Sequence, residues 1–187
     1  LASLDSSPVS HSRYPRHGGS QRIRAPAPAI ADEPSDDRHM LARSESTAMA
    51  VTVPADVLRQ YYRFSLYNSP FAAHDAGCAI DLYPEGARAP SPVAGEVLDT
   101  KTVRAPPKSY AADEDHLILV DTGDHVARLL HVNPGVEAGD SVGVDDDLGE
   151  LVRAGFFAPW VPNHIHLGFR EPDADPYRAA GSLPVEA

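Results

Sequence analysis

The sequence holds a single cysteine, Cys78, so no internal disulfide can form. No run of 18 apolar residues occurs, which excludes a membrane-spanning helix. Lysine is confined to Lys101 and Lys108, and aromatic residues make up only 7% of the chain. The N-terminal residues lack the basic-then-apolar layout of a secretory signal, so a cytoplasmic location is expected. Repeats that favour helix are also missing. Val, Gly and Pro punctuate nearly every segment, a texture that suits short strands joined by turns.

Acidic residues outnumber basic ones, 27 to 16, for a net charge of −11. The first 48 residues carry six of each and are neutral, while residues 49–187 carry 21 acidic and 10 basic residues and hold the whole excess. A surface this acidic repels nucleic acid and anionic membrane, so neither is expected as a partner. It reads as a solvated, halophile-like face before it reads as an attractor of cationic substrate.

Residues 1–48 are rich in Ser, Pro, Arg, Asp and Ala, with no apolar period of 2 or 3.6, and are expected to be a disordered tail. The chain opens on Leu1, with Met49 downstream, which makes a start-site artefact the other reading of that tail. Residues 49–187 are expected to form one β domain. Pro54 to Tyr62 opens with the Pro-and-acid start of a short helix, and Arg63 to Tyr67 alternates as an edge strand does. Further strands are expected at Cys78 to Tyr83, Pro92 to Val103, His116 to Asp121, Ala127 to Val132, Ser141 to Leu148, Leu148 to Val152 and His164 to Phe169. Strands about ten residues apart predict a mainly β fold, a small barrel or sandwich.

Of nine histidines, His74, His131, His164 and His166 carry information. His164 and His166 form an H-x-H pair, and residues two apart on a strand share a face. Asp81 stands mid-strand between Ile80 and Leu82, where a charge is costly unless it is paired or coordinated. Two imidazoles and one carboxylate suit a catalytic zinc, which keeps a fourth position open for water. Taken alone, H-x-H describes two surface histidines as readily, and a mid-strand Asp can merely cap a turn.

Five elements occur in order: Cys78-Ala79-Ile80-Asp81; Ala89-Pro90-Ser91-Pro92-Val93-Ala94-Gly95-Glu96-Val97; His131 after a Leu pair; Val136-Glu137-Ala138-Gly139-Asp140-Ser141-Val142; and Asn163-His164-Ile165-His166-Leu167. Together they resemble the lysostaphin-type zinc metallopeptidases. The resemblance implies a barrel-sandwich hybrid of the duplicated hybrid motif type and a zinc cofactor. It also implies a peptide or amide substrate. By the same likeness Asp81 and His166 are zinc ligands, and His131 and His164 are catalytic. Where the family has its first histidine, four residues before the aspartate, this chain has Gly77. His74 is then the remaining ligand, carried to the ion by a three-residue insertion and the flexible Ala76-Gly77.

Other residues are read more plainly. Cys78 differs from Asp81 in strand parity and is expected to be a small buried thiol. Trp160 either walls a substrate groove or packs a loop onto the barrel. Tyr61, Tyr62 and Tyr67 are expected to cover the open sheet edge, and Arg104 to Tyr110 to be a loop near the cleft. Asp145-Asp146-Asp147 reads as an acidic turn. Three functions follow: a zinc hydrolase, a metal-binding module without catalysis, and a phosphotransfer domain with His131 facing His164.

Overall fold

The computed structural model describes residues 49–69 and 71–187. The tail expected at 1–48 lies outside the described residues. The elements run β1 (Val51–Thr52), α1 (Ala55–Leu58), β2 (Arg63–Ser65), α2 (Ala72–Asp75), β3 (Ile80–Tyr83), β4 (Arg88–Pro90) and β5 (Gly95–Arg104). They continue with β6 (Glu114–Asp121), β7 (Val126–Leu130), β8 (Val132–Pro134), β9 (Ser141–Val142), β10 (Asp147–Leu151), β11 (Ile165–Arg170) and β12 (Val185–Glu186). The fold is mainly β, as expected.

A seven-stranded sheet in the order β2-β3-β11-β7-β6-β5-β9 faces a three-stranded sheet, β4-β10-β8. Every pairing in the large sheet is antiparallel. Alternation decides which side chains fill the space between the two layers. Ile80 and Leu82 of β3, Ile118 and Val120 of β6, Ala127 and Leu129 of β7, and Ile165 and Leu167 of β11 point into one core. Ala89, Val132, Leu148 and Leu151 meet them from the smaller sheet. Aliphatic side chains dominate, as the scarcity of aromatics requires. The opposite face of the large sheet carries Leu117, Leu119 and Val126 as a second apolar cluster, together with Asp81, Asp115 and His166.

Several strand expectations are trimmed. The hairpin strand from Ala127 breaks at His131, which takes a positive φ of 70°, so β7 and β8 belong to different sheets. The alternating valines after Ser141 make only a two-residue strand, because Gly143 turns the chain and its N–H is caught by Asp146 Oδ2 at 2.6 Å. β2 is the edge strand the sequence predicts. Cys78 lies before β3 and is only half-buried, its thiol donating to the Ala76 carbonyl at 3.5 Å. The parity argument for a buried thiol therefore has no strand to act on.

Tyr61 does pack inward, its hydroxyl donating to the Pro90 carbonyl at 2.8 Å. Tyr62 and Tyr67 stay exposed. Arg170, 1% exposed at the end of β11, donates to Ser182 Oγ and to the Arg178 carbonyl, each at 2.6 Å. It thereby ties the segment after β11 back onto the sheet. β12 then pairs with β1 in parallel.

Gly95 opens β5 where the strand passes against β6. A Cβ there would collide with the main-chain carbonyl of Asp121, an atom the ladder holds in place. Gly95→Ala is expected to lower stability by about 1–3 kcal/mol, the usual range for overpacking. Urea denaturation checks this, and a midpoint equal to that of the wild type would show that the β5–β6 crossing yields.

Candidate metal centre

The site grows from one cross-strand pair. β3 and β11 run antiparallel with Asp81 directly opposite His166. Directly opposed residues share a face, and both lie on the side away from the main core. The carboxylate and the ring thus meet without any loop having to place them: Asp81 Oδ1 lies 3.1 Å from His166 Nδ1.

His74 arrives from outside the sheet, on the single turn of α2. That turn is closed by Gly77, whose φ is 67°, and Cys78 N–H bonds back to the Ala73 carbonyl at 2.7 Å. A Cβ at position 77 would stand 2.6 Å from the Tyr67 hydroxyl. A side chain at 77 is thus opposed twice, by backbone conformation and by Tyr67. The imidazole comes in from position 74, on α2. His74 Nε2 reaches 3.2 Å from Asp81 Oδ1 and 3.0 Å from His166 Nδ1.

Three donor atoms thus form a triangle with sides of 3.0, 3.1 and 3.2 Å, and the group could hold a metal ion. Atoms bound at zinc's usual 2.0–2.1 Å in a tetrahedral site stand roughly 3.3 Å from one another. Hydrogen bonds cannot satisfy so small a triangle, because each ring nitrogen has one N–H or one lone pair to serve two neighbours. His74 Nδ1 is buried with no partner among the described residues, so the tautomer that frees Nε2 as a lone-pair donor leaves a buried N–H unmade. A cation bound by Nε2 offsets that cost. The donor set, two imidazoles and one carboxylate, is one that zinc accepts.

A second layer surrounds the triangle. Asn68 Nδ2 donates to Asp81 Oδ2 at 2.7 Å and orients the carboxylate. His164, one residue before β11, donates its Nδ1–H to the Pro162 carbonyl at 2.8 Å, which turns Nε2 toward Asp81 Oδ2 at 3.6 Å. His131 stacks edge-on to His164 with ring centroids 5.1 Å apart, and lies 6.0 Å from His166. Its Nδ1 is 2.7 Å from Asp115 Oδ2. Phe157 packs against both rings, 5.1 Å from His131 and 4.6 Å from His164. Tyr110 Oη donates to the Phe157 carbonyl at 3.1 Å, so the loop of residues 104–110 does reach the rim. Trp160 is 82% exposed, so it does not pack the loop onto the barrel.

Burial and neighbours set the protonation states. For Asp81, burial raises the pKa, but hydrogen bonds with His166 and His74 and the nearby His164 ring outweigh it, holding the carboxyl well below the usual carboxylate range. Burial pushes His164 down to about 4, with His131 adding to the effect and Asp81 opposing it. His166 is lowered as well, by burial first and then by His131 and His74, against the pull of Asp81.

All five residues that the sequence singles out, His74, Asp81, His131, His164 and His166, fall within this one cluster. Asp115 and Asn68 join them without having been singled out. Asp115 is hidden in the acidic run Asp113-Glu114-Asp115, although its parity with Leu117 and Leu119 is a readable sign that it faces inward. Asn68 has no sequence signal.

Residues 52–187 match the family described as "Domain of unknown function (DUF8155) N-terminal domain". The chain belongs to that family. No curated protein matches it. Two solved structures are similar to this DUF8155 domain. "NMR solution structure of lysostaphin" is 16% identical over 64% of this chain and 47% of that one, with a TM-score of 0.39. "Identification and structural characterization of LytU" is 23% identical over 58% of this chain and 69% of that one, with a TM-score of 0.37. The chain thus spans less than half the length of the lysostaphin chain. Among the described residues no helix is long and apolar enough to cross a membrane.

The depressed His164 has a consequence for stability. Its pKa in the folded chain, about 4, lies below the ordinary imidazole value of 6.5, so between those values the unfolded chain binds the proton and the folded one does not. Stability of the metal-free protein is then expected to be full above pH 6.5 and to fall as pH drops toward 4. His164→Gln should flatten that part of the profile in denaturation midpoints measured across the range. A slope unchanged by the substitution would show that His164 is not the group responsible.

Proposed function

We propose that the chain is a zinc-dependent hydrolase of peptide or amide bonds, with His74, Asp81 and His166 as metal ligands and His131 and His164 as catalytic histidines. The observation that supports this best is the triangle of donor atoms with sides of 3.0–3.2 Å. Zinc bound there would supply Lewis acidity and a water whose pKa is lowered toward about 7.

The chain's own groups do the rest. His164 keeps its Nδ1–H on the Pro162 carbonyl and is neutral at pH 7, so Nε2 is ready to take a proton from the attacking water. A positioned general base is worth about 10²–10⁴ in rate, and a pKa pushed down to about 4 puts His164 at the low end of that range. His131 stands edge-on to it, placed to take up a proton during the reaction and, once protonated, to stabilise charge on a carbonyl oxygen and pass that proton to the departing amine. Phe157 covers both rings and limits water at that wall. Asn68 fixes Asp81, so the carboxylate does not swing away from the two imidazoles.

Phosphotransfer fits the same residues poorly. His131 and His164 do face each other, but a phosphoryl group on His164 Nε2 would lie against Asp81 Oδ2, 3.6 Å away. Like charges at that distance repel strongly in a buried setting. A metal-binding module without catalysis differs from the hydrolase only in turnover, which an assay resolves.

Zinc analysis of the purified protein is expected to give one ion per chain, lost in His166→Ala and kept in His164→Ala. The latter should cut hydrolysis of a peptide panel by about a hundredfold or more. No zinc in the wild type would sink the reading altogether. Bound zinc with no turnover on any peptide would leave the non-catalytic module.

A further inference from the structure

Asp115 has no assigned role, yet it is wholly buried and tied to a residue of the proposed machinery. Its Oδ1 accepts the main-chain N–H of His116 at 2.8 Å and that of His131 at 3.1 Å. Its Oδ2 stands 2.7 Å from His131 Nδ1. The carboxylate thus takes the main-chain N–H and faces a ring nitrogen of one histidine. That histidine holds a left-handed φ of 70°, a conformation that is strained for a non-glycine residue and that recurs at active sites. The kink lifts His131 out of both neighbouring strands, and Asp115 catches the N–H that the ladder no longer uses.

We infer that Asp115 is a positioning residue that fixes His131 as the Nδ1–H tautomer and so presents Nε2, as a lone pair, to the reacting groups. The inference rests on the hydrolase reading for its purpose, but not for its geometry. A carboxylate oxygen accepts, so the bridging proton sits on Nδ1 of the ring. In a neutral imidazole the other nitrogen is then bare. His131 Nε2 has no hydrogen bond to any described residue, and the His164 ring lies 5.1 Å away. His164 is held the same way by the Pro162 carbonyl, so two imidazoles turn the same kind of atom toward one site. A merely structural Asp115 would need only its Oδ1 contacts. The separate bond through Oδ2 orients the ring.

Asp115→Asn separates the two roles. The amide oxygen can keep both main-chain N–H groups, while the amide nitrogen can only donate to Nδ1. That moves the ring proton to Nε2 and inverts the tautomer within an unchanged shape. Nitrogen-15 spectra of metal-free protein are expected to show His131 as the Nδ1–H form in the wild type and as the Nε2–H form in Asp115→Asn. With zinc bound, the variant should keep its metal content and KM while kcat falls at least a hundredfold. Asp115→Glu should recover part of the loss if it restores the Nδ1–H form.

A wild type carrying the proton on Nε2, or a variant whose tautomer does not change, would overturn the assignment. So would an inverted tautomer with undiminished kcat. A wild type with the Nδ1–H form but no hydrolysis of any peptide would sink the hydrolase reading and leave the fixed tautomer standing.

Discussion

Everything at the centre depends on the register between β3 and β11. Asp81 faces His166 because the two strands pair in that frame, with Leu82 opposite Ile165 and Ile80 opposite Leu167 on the core side. A slip of one residue would exchange the faces, sending two polar groups into the aliphatic core and Ile and Leu into the site. The apolar side chains that stabilise the fold therefore also enforce the meeting of the carboxylate and the ring. The other residues of the site are additions to that pair, and each comes from a less regular part of the chain.

These additions share a device. His74 rides on a single helical turn closed by left-handed Gly77, His131 occupies a left-handed break between two strands, and His164 sits one residue outside β11. Regular strands deliver alternate residues to one face at fixed spacing. That alone cannot gather four imidazoles and two carboxylates into one cluster. Each irregularity bends the path enough to bring one more ring inward, and the His164 and His131 rings are pinned by hydrogen bonds they donate to the Pro162 carbonyl and the Asp115 carboxylate.

Much of this is legible in the sequence, for physical reasons. Asp81 between Ile80 and Leu82 announces an inward carboxylate, because a charge in mid-strand persists only where a partner or an ion compensates it. H-x-H at the start of an apolar strand announces two rings near each other. The contacts made across the fold cannot be read in the same way. The run Ala127 to Val132 looks unbroken, and nothing local shows that His131 turns out of it. Asp115 looks like its acidic neighbours, although Asp113 and Glu114 are solvated and it alone is sealed against a histidine. The bond from Asn68 to Asp81 spans 13 residues and an intervening helix, so no local pattern marks it. Cys78 departs from its expected burial because β3 begins at Ile80, later than the apolar pattern suggests.

The only tryptophan of the chain, Trp160, stands almost fully in solvent, four residues before His164 and three after Phe157. An indole so placed emits as a water-exposed fluorophore, and no second indole competes with it. The colour of its emission is therefore set by whatever comes to rest beside that loop. The protein carries a built-in optical gauge of that loop's surroundings, readable without any label.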